Sequence, residues 1–178
     1  MPSVHAPITP ELEELARKQL PSSASFSESI LGLSTYIYET FTYMPGVTDV
    51  RTPLEVVLKK RQGVCQDFAH LMIAIIRCAG LPARYVSGYL ETESVRGAGP
   101  LVGATASHAW VEVYLPSGLW LGIDPTNDML EGERHVQIGI GRDYHDVPPL
   151  RGVFKGAKRQ QLSVMVTVSR TTGETVPG

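Results

Sequence analysis

The sequence predicts an α+β domain, with helices in its first half and a mainly antiparallel sheet in its second half. Apolar residues recur at helical spacing as far as about residue 79, and segments typical of strands follow. Helices come first and strands later, which favours this class over alternating strands and helices. A length of 178 residues with 43% hydrophobic residues suits one globular domain with a substantial core.

Two helices are predicted before residue 45. The first covers Pro10 to Leu20, because acidic residues stand at its start and basic residues at its end. Ser25 and Glu28 have the spacing of a capping box, which starts a second, amphipathic helix. We expect this second helix to continue to the Met44-Pro45-Gly46 turn.

Two more helices follow. Thr52 in an N-cap position before a proline predicts a third helix over Pro53 to Arg61, with Gly63 as its breaker. A fourth helix is predicted from Cys65 to Ala79, ended by Gly80 as a C-cap. This helix is apolar nearly all round, which indicates a central, buried position.

After residue 82 the pattern is typical of strands. The segment from Gly139 to Gly156 is rich in Gly and Pro and is interpreted as an ordered loop that crosses the domain. Strands are predicted over residues 83–90, 108–115, 119–124, 135–140 and 160–169.

The second and third of these strands form a predicted hairpin whose register can be derived. Every odd position of both strands is apolar, so the parity of the pattern survives the turn. The residue numbers of two paired positions must then add up to an even number, as when Leu115 faces Leu119 across a three-residue loop with Gly118 in the left-handed region. In this register His108 and Asp124 point from the same face of the sheet and are close enough to interact.

A histidine and a carboxylate on one sheet face, with a cysteine at a helix start, are the parts of a nucleophilic site. A helix N-terminus stabilises a thiolate and offers unpaired N–H groups to an oxyanion, so the N–H of Cys65 is the expected first donor. His108 would exchange the proton, and Asp124 would fix the tautomer of its ring. Sequence spacing alone does not bring the helix and the hairpin together.

Several motifs in this order resemble the core of the transglutaminase-like superfamily, in particular the bacterial branch described as cysteine proteases. The resemblance covers roughly residues 28–170. It implies a papain-like fold, in which the central catalytic helix packs on the sheet, and a Cys65, His108 and Asp124 triad that needs no metal and no cofactor. The motifs are RQGVCQDFAHL at 61–71, GLPARYVSGY at 80–89, SHAWVEVYLP at 107–116, DPTND at 124–128 and the segment 141–156.

The expected organisation is an N-terminal extension with a short helix over residues 1–24, a catalytic domain over 25–170 and a tail over 171–178. Animal crosslinking members of the family usually have Trp directly after the nucleophile, where this chain has Gln66. A departure at this position weakens the prediction of protein crosslinking.

The remaining site residues are open alternatives. Gln62 and Tyr43 are both candidates for the second oxyanion donor, while Gln66 and Trp110 are candidates for substrate contact. Trp110 is first of all hydrophobic cover for its sheet face. The Gly-rich stretch 97–103 is interpreted as a mobile flap that borders the site.

Other polar residues are assigned structural roles. His70 is off the face of Cys65 and is expected to pack, and Asp67 is expected to cap the helix start. Cys78 is expected to be a core thiol. His135 and His145 are interpreted as surface or loop-bonding residues, with His145 as a candidate for the pocket rim.

The composition indicates which partners and which cellular compartment are expected. The net charge of −2 and scattered basic residues indicate no nucleic-acid partner, and no apolar run of membrane-spanning length occurs. Cys65 and Cys78 would lie about 20 Å apart on one helix, too far for a disulfide. Free thiols suit a reducing compartment, so a cytoplasmic protein is expected. The oligomeric state is not predicted.

The predicted function is acyl transfer by an enzyme that attacks a peptide or protein amide, either backbone or glutamine-like, through a Cys65 thioester. Hydrolysis is favoured over transfer to an amine, because nothing in the sequence specifies protection of the thioester from water. Two alternatives stay open: a protein transglutaminase with an amine acceptor, and a non-catalytic peptide-binding module with the same fold.

Overall fold

The computed structural model describes residues 3–92, 101–104, 106–149, 152, 155–156 and 165–169. Helices and strands alternate irregularly in its first half, and strands alone follow residue 82. In chain order the elements are α1 (Pro10–Gln19), α2 (Phe26–Thr40), β1 (Thr42–Tyr43), α3 (Leu54–Lys60), β2 (Gln62–Gly63), α4 (Cys65–Cys78), β3 (Ala83–Leu90), β4 (His108–Tyr114), β5 (Trp120–Asp124), β6 (Met129–Leu130) and β7 (His135–Gly141).

The sheet is five-stranded, in the order β6-β5-β4-β3-β7, and every neighbouring pair is antiparallel. One face of it carries α4, which contacts β4 and β3, while α1, α2 and α3 pack on α4. The α+β class with a mainly antiparallel sheet is therefore confirmed.

The central helix α4 is the core of the domain, as predicted. All side chains from Leu71 to Ile76 are fully buried, so the helix is covered on every side. Its first turn is held by Asp67, whose carboxylate accepts hydrogen bonds from the Val64 N–H at 2.8 Å and the Thr48 hydroxyl at 2.6 Å. Gly80 follows its end with φ of +78°, a conformation that favours glycine.

The ends of α2 and α3 differ from the predictions. The Ser25 capping box is present, but α2 ends at Thr40 because the next residues form β1, which pairs in parallel with β2. The third helix begins at Leu54, one residue later than expected. Its end is set by Arg61, which adopts a left-handed conformation (φ 52°), so Gly63 is not the breaker.

The hairpin of β4 and β5 has the predicted register. Tyr114 lies opposite Trp120, the Leu115 N–H donates to the Leu119 carbonyl at 2.8 Å, and Gly118 has φ of +87°. The odd positions Ala109, Val111 and Val113 of β4 belong to the same hydrophobic core as α4.

Half of the predicted strand over residues 160–169 lies outside the described residues. Its described part, residues 165–169, forms no strand. Three hydrogen bonds of 3.0 to 3.1 Å tie it to Thr92, two residues after β3: the N–H and the hydroxyl of Thr92 donate to the Val168 carbonyl, and the Val168 N–H donates to the Thr92 hydroxyl.

Candidate active site

Cys65 is the first residue of α4, so its N–H has no acceptor within the helix. Its sulfur lies 4.0 Å from the Ser107 carbonyl, directly before β4, and the neighbouring His108 has its Nδ1 atom buried without a hydrogen-bond partner among the described residues. The side chain borders a pocket of about 220 Å³ that also contains His108. Packing of α4 on the sheet has therefore brought the predicted cysteine to the predicted hairpin.

His108 and Asp124 form a buried pair. The Nε2 of His108 donates to Asp124 Oδ2 over 2.8 Å, and both side chains are fully buried. Burial by itself would lower the pKa of His108, but the hydrogen bond with Asp124 and the contact with Cys65 outweigh it and raise this pKa well above its ordinary value. With Nε2 bound to Asp124, the Nδ1 atom is the ring nitrogen left for Cys65.

Three groups besides His108 lie within hydrogen-bonding distance of the Asp124 carboxylate. The Thr126 N–H donates to Oδ1 at 2.9 Å, the Asn127 amide donates to Oδ2 at 2.7 Å, and the His135 Nε2 lies 3.4 Å from Oδ2. Burial favours the neutral acid, but the hydrogen bonds with His108, His135 and Asn127 prevail and lower the pKa of Asp124 below its ordinary range. The carboxyl group is therefore an anion.

His135 is not the surface residue that the sequence suggested. Its side chain is fully buried, and its ring packs edge-on against Trp110 with the centroids 5.1 Å apart. No local pattern indicates this, because β7 pairs with β3 and reaches Asp124 only across the face of the sheet. Asn127, three residues after Asp124 in the motif DPTND, was recognisable as part of a motif but had no predicted role.

The described end of the Gly-rich stretch borders the site. Asn127 holds it on both sides, since its Oδ1 accepts the Val102 N–H at 2.8 Å and its amide donates to the Val102 carbonyl at 3.3 Å. Gly103 follows with φ of +85°, and a Cβ placed there would lie 2.9 Å from Nδ1 of His108. The part of the predicted flap over residues 97–100 lies outside the described residues.

The four further candidates occupy different places. Tyr43 and Gln66 border the pocket with Cys65, whereas Gln62 is not among the residues that line it. Burial, followed by the charge of Cys65, raises the pKa of Tyr43 to about 12, so its hydroxyl stays a donor. Trp110 is fully buried and stacks on His108 with the centroids 6.2 Å apart, which makes it a wall behind the histidine.

A larger cavity of about 770 Å³ adjoins the pocket. Gln66 and Tyr144 line both spaces, so the cavity begins where the site ends. His145 lines this cavity and not the pocket that contains Cys65. Its other walls include the segment around Pro53 and the N-terminal residues around His5.

His70 lies between this cavity and the core. Its Nε2 accepts the Tyr144 N–H at 3.1 Å, and its ring stacks between His5 and Tyr85. Burial lowers the pKa of His70 to about 3, so the ring is neutral. Within the described residues, no group of three or more histidine, cysteine and acidic side chains is arranged to hold a metal ion.

Comparison with models of protein families shows which superfamily the chain belongs to. Residues 13–125 match the model of the transglutaminase-like superfamily. The chain belongs to the transglutaminase-like superfamily. The family is one of cysteine-dependent acyl-transfer and hydrolase proteins, and this membership confirms the resemblance seen in the sequence motifs.

Solved structures of this superfamily share the fold. A candidate cysteine protease from Cytophaga hutchinsonii has a TM-score of 0.70 and 30% identity, covering 83% of this chain and 47% of that one. The periplasmic domain of TgpA from Pseudomonas aeruginosa has a TM-score of 0.54 and 28% identity, covering 72% of this chain and 47% of that one. The papain-like architecture is thereby confirmed.

Curated relatives are longer than this chain. An uncharacterised protein of Mycobacterium bovis is 42% identical over 172 residues, which are 94% of this chain and 55% of that protein. A protein-glutamine gamma-glutamyltransferase of P. aeruginosa is 36% identical over 97 residues, covering 53% of this chain and 14% of that protein. The chain therefore spans about half the length of the mycobacterial relative.

Among the described residues, no helix has the length and apolar character needed to cross a membrane. One structural neighbour is a periplasmic domain, and the cytoplasmic location expected from the free thiols stays a prediction.

Proposed function

We propose that the chain is a cysteine hydrolase that cleaves an amide of a peptide or protein through a thioester on Cys65. The observation that carries the proposal is the buried His108 and Asp124 pair, 2.8 Å apart, whose remaining ring nitrogen is available to the sulfur at the start of α4. A cysteine kept only for packing would not need a histidine held in one tautomer by an anionic carboxylate.

In the first half of the reaction, the Cys65 sulfur attacks the carbonyl carbon of the amide. Its proton passes to Nδ1 of His108, and the imidazolium is stabilised by Asp124. The carbon–nitrogen bond then breaks, and the amine leaves with the proton from His108. The acyl group remains on the sulfur as a thioester.

In the second half, water attacks the thioester carbon while His108 takes one proton from that water. The carbon–sulfur bond breaks, the acid is released, and the proton returns from His108 to the sulfur. An amine in place of water would give a new amide by the same steps. Water is favoured as the acceptor because the pocket beside Cys65 is small, about 220 Å³, and water is the smaller of the two acceptors.

The oxyanion formed in both halves requires donors. The N–H of Cys65 at the start of α4 is one, since no helical carbonyl accepts it. For the second donor the hydroxyl of Tyr43 has better support than the side chain of Gln62, because Tyr43 lines the pocket and retains its proton. Gln66 stands between the pocket and the cavity and would contact the substrate chain that leaves the site.

Transfer to an amine is the second candidate function. It is supported by the similarity to the P. aeruginosa protein-glutamine gamma-glutamyltransferase over 53% of this chain. The choice of acyl acceptor, water or an amine, changes only the product of the second half of the reaction. The two functions therefore share every residue named above.

The deciding experiment incubates the full chain with a library of glutamine-containing peptides and peptide amides, with and without a primary amine, and measures products by mass spectrometry. Hydrolysis of a peptide bond adds the mass of water across the two fragments and hydrolysis of a primary amide replaces it by an acid, whereas transfer attaches the amine to the acyl group with loss of ammonia or of the leaving peptide amine. Cys65→Ala should abolish both products. Cys78→Ala, at the far end of the same helix, is the matched control and should retain them. Turnover that survives Cys65→Ala would refute the proposal.

A further inference from the structure

A second imidazole approaches the carboxylate of the candidate triad. The Nε2 of His135 lies 3.4 Å from Asp124 Oδ2, the same oxygen that accepts from His108. Both rings are fully buried, and their centroids are 6.5 Å apart. The mechanism described above requires one histidine, so the burial of another at the acid calls for a separate explanation.

The tautomer of His135 follows from its other nitrogen. The backbone N–H of Gly132 points to its Nδ1 at 3.3 Å, and an N–H group can only donate. The Nδ1 atom must therefore accept, which leaves the proton of the neutral ring on Nε2. This Nε2–H is directed at Asp124 Oδ2.

The ring is also fixed in space. Trp110 contacts both histidines, stacking on His108 and meeting His135 edge-on at 5.1 Å. His135 itself is anchored in the backbone, because it begins β7 and pairs with Leu90 of β3. A donor that is held by a strand, a tryptophan and a backbone N–H has little freedom to turn away.

We propose that His135 is a positioning residue, which holds Asp124 Oδ2 in place for Nε2 of His108 by donating a hydrogen bond to the same oxygen. This inference rests on the proposed function of the Cys65 site. Without that donor, Asp124 keeps the Thr126 N–H on Oδ1 and His108 and Asn127 on Oδ2, but its Oδ2 is held less firmly toward His108. The imidazolium of His108 then loses part of its stabilisation at the moment it forms.

The test uses three variants of the full chain. His135→Leu removes the donor, His135→Gln restores an N–H group close to the position of Nε2, and Ile138→Gln changes an exposed residue of the same strand as a control. Each variant is measured for peptide amide turnover and for the pH dependence of Cys65 alkylation by iodoacetamide, and its folding is checked by circular dichroism and thermal unfolding.

For His135→Leu, kcat should fall by about 10-fold to 100-fold, the usual effect of losing such a supporting partner, while KM changes less than about twofold. The midpoint of the alkylation profile should move to higher pH by about one unit for each tenfold loss of ion-pair stability. His135→Gln should recover most of kcat and the wild-type midpoint. A merely structural role would lower the melting temperature in both variants and leave the midpoint in place, which would overturn the inference.

One measurement is independent of activity. In ¹⁵N-labelled protein, the ring of His135 should carry its proton on Nε2, and Asp124→Asn should change the chemical shift of that nitrogen. If wild-type Cys65 reacts no faster than free cysteine, the proposed function fails, and this spectrum still decides where the His135 proton lies. A proton on Nδ1 of His135 would overturn the inference even in an active enzyme.

Discussion

Replacement of His70 by glutamine should reduce the pH dependence of the free energy of unfolding, by an amount that follows from the pKa shift of His70. In the folded protein, burial lowers the pKa of His70 from 6.5 to about 3, while the nearby charges of His5, Asp143 and Arg77 make smaller contributions of both signs. The unfolded chain has an ordinary histidine at this position. Between these two values the unfolded state therefore binds more protons than the folded state.

The direction of the pH dependence follows from the number of protons that each state binds. Where the unfolded state binds more protons, the free energy of unfolding rises with pH, so His70 costs stability as the pH falls below about 6.5. At pH 5 the pH is about 1.5 units below the pKa of His70 in the unfolded chain, whereas His70 in the folded protein is still neutral. At 1.36 kcal/mol per unit, the free energy of unfolding is therefore lowered by about 2 kcal/mol. The raised pKa of His108 acts in the opposite direction, and comparison with a variant removes its effect.

The assay is urea unfolding of wild type and His70→Gln at pH 7 and at pH 5, followed by tryptophan fluorescence. Glutamine can accept the Tyr144 N–H that His70 accepts, and it does not titrate. Between the two pH values the wild type should lose about 2 kcal/mol more than the variant. Equal losses, within about 0.5 kcal/mol, would refute the reasoning, because His70 would then not be held neutral by burial.

Three further predictions concern the site. Asp124→Asn should lower kcat by about 10⁴-fold, because the amide can no longer stabilise the imidazolium of His108. Asn127→Ala removes the hydrogen bonds to Asp124 and to Val102, so we expect kcat to fall about 10-fold to 100-fold in the peptide amide assay. Tyr43→Phe should lower kcat by about 10²-fold with KM nearly unchanged, if the hydroxyl binds the oxyanion.

Each of these has a contradicting result. Full turnover in Asp124→Asn would show that the anion has no part in the reaction. Asn127→Asp keeps the acceptor for the Val102 N–H but loses the donor to Asp124, and activity equal to wild type there would limit the role of Asn127 to the loop. A rise in KM without loss of kcat in Tyr43→Phe would place the hydroxyl on the substrate instead of the oxyanion.

Local patterns were sufficient for several parts of this protein. The start of α4, the glycine after its end and the register of the β4 and β5 hairpin depend on residues close in the chain, and all three agree with the structure. The parity of apolar residues was decisive for the hairpin, since a shift by one residue would expose one whole face. It correctly placed His108 and Asp124 on the same side.

Other parts depended on packing between distant segments. The early end of α2 follows from the parallel pairing of β1 with β2, and a two-residue strand has no periodicity to reveal it. The same pairing places Tyr43 in the pocket and leaves Gln62 off its wall. His135 looked like an edge residue because its burial is created by Trp110 and Asp124 from other strands.

The sequence by itself thus determined the class of fold, the residue types of the candidate triad and the pairing of its histidine with its acid, because each depends on short-range periodicity and turn geometry. Only the tertiary structure decided that Cys65 and His108 border one pocket, that Asn127 joins the acid to the Gly-rich stretch and that His135 lies against the same carboxylate. These contacts form when α4, β7 and the loop pack on the same sheet, and no local pattern in the chain encodes which side chains meet there.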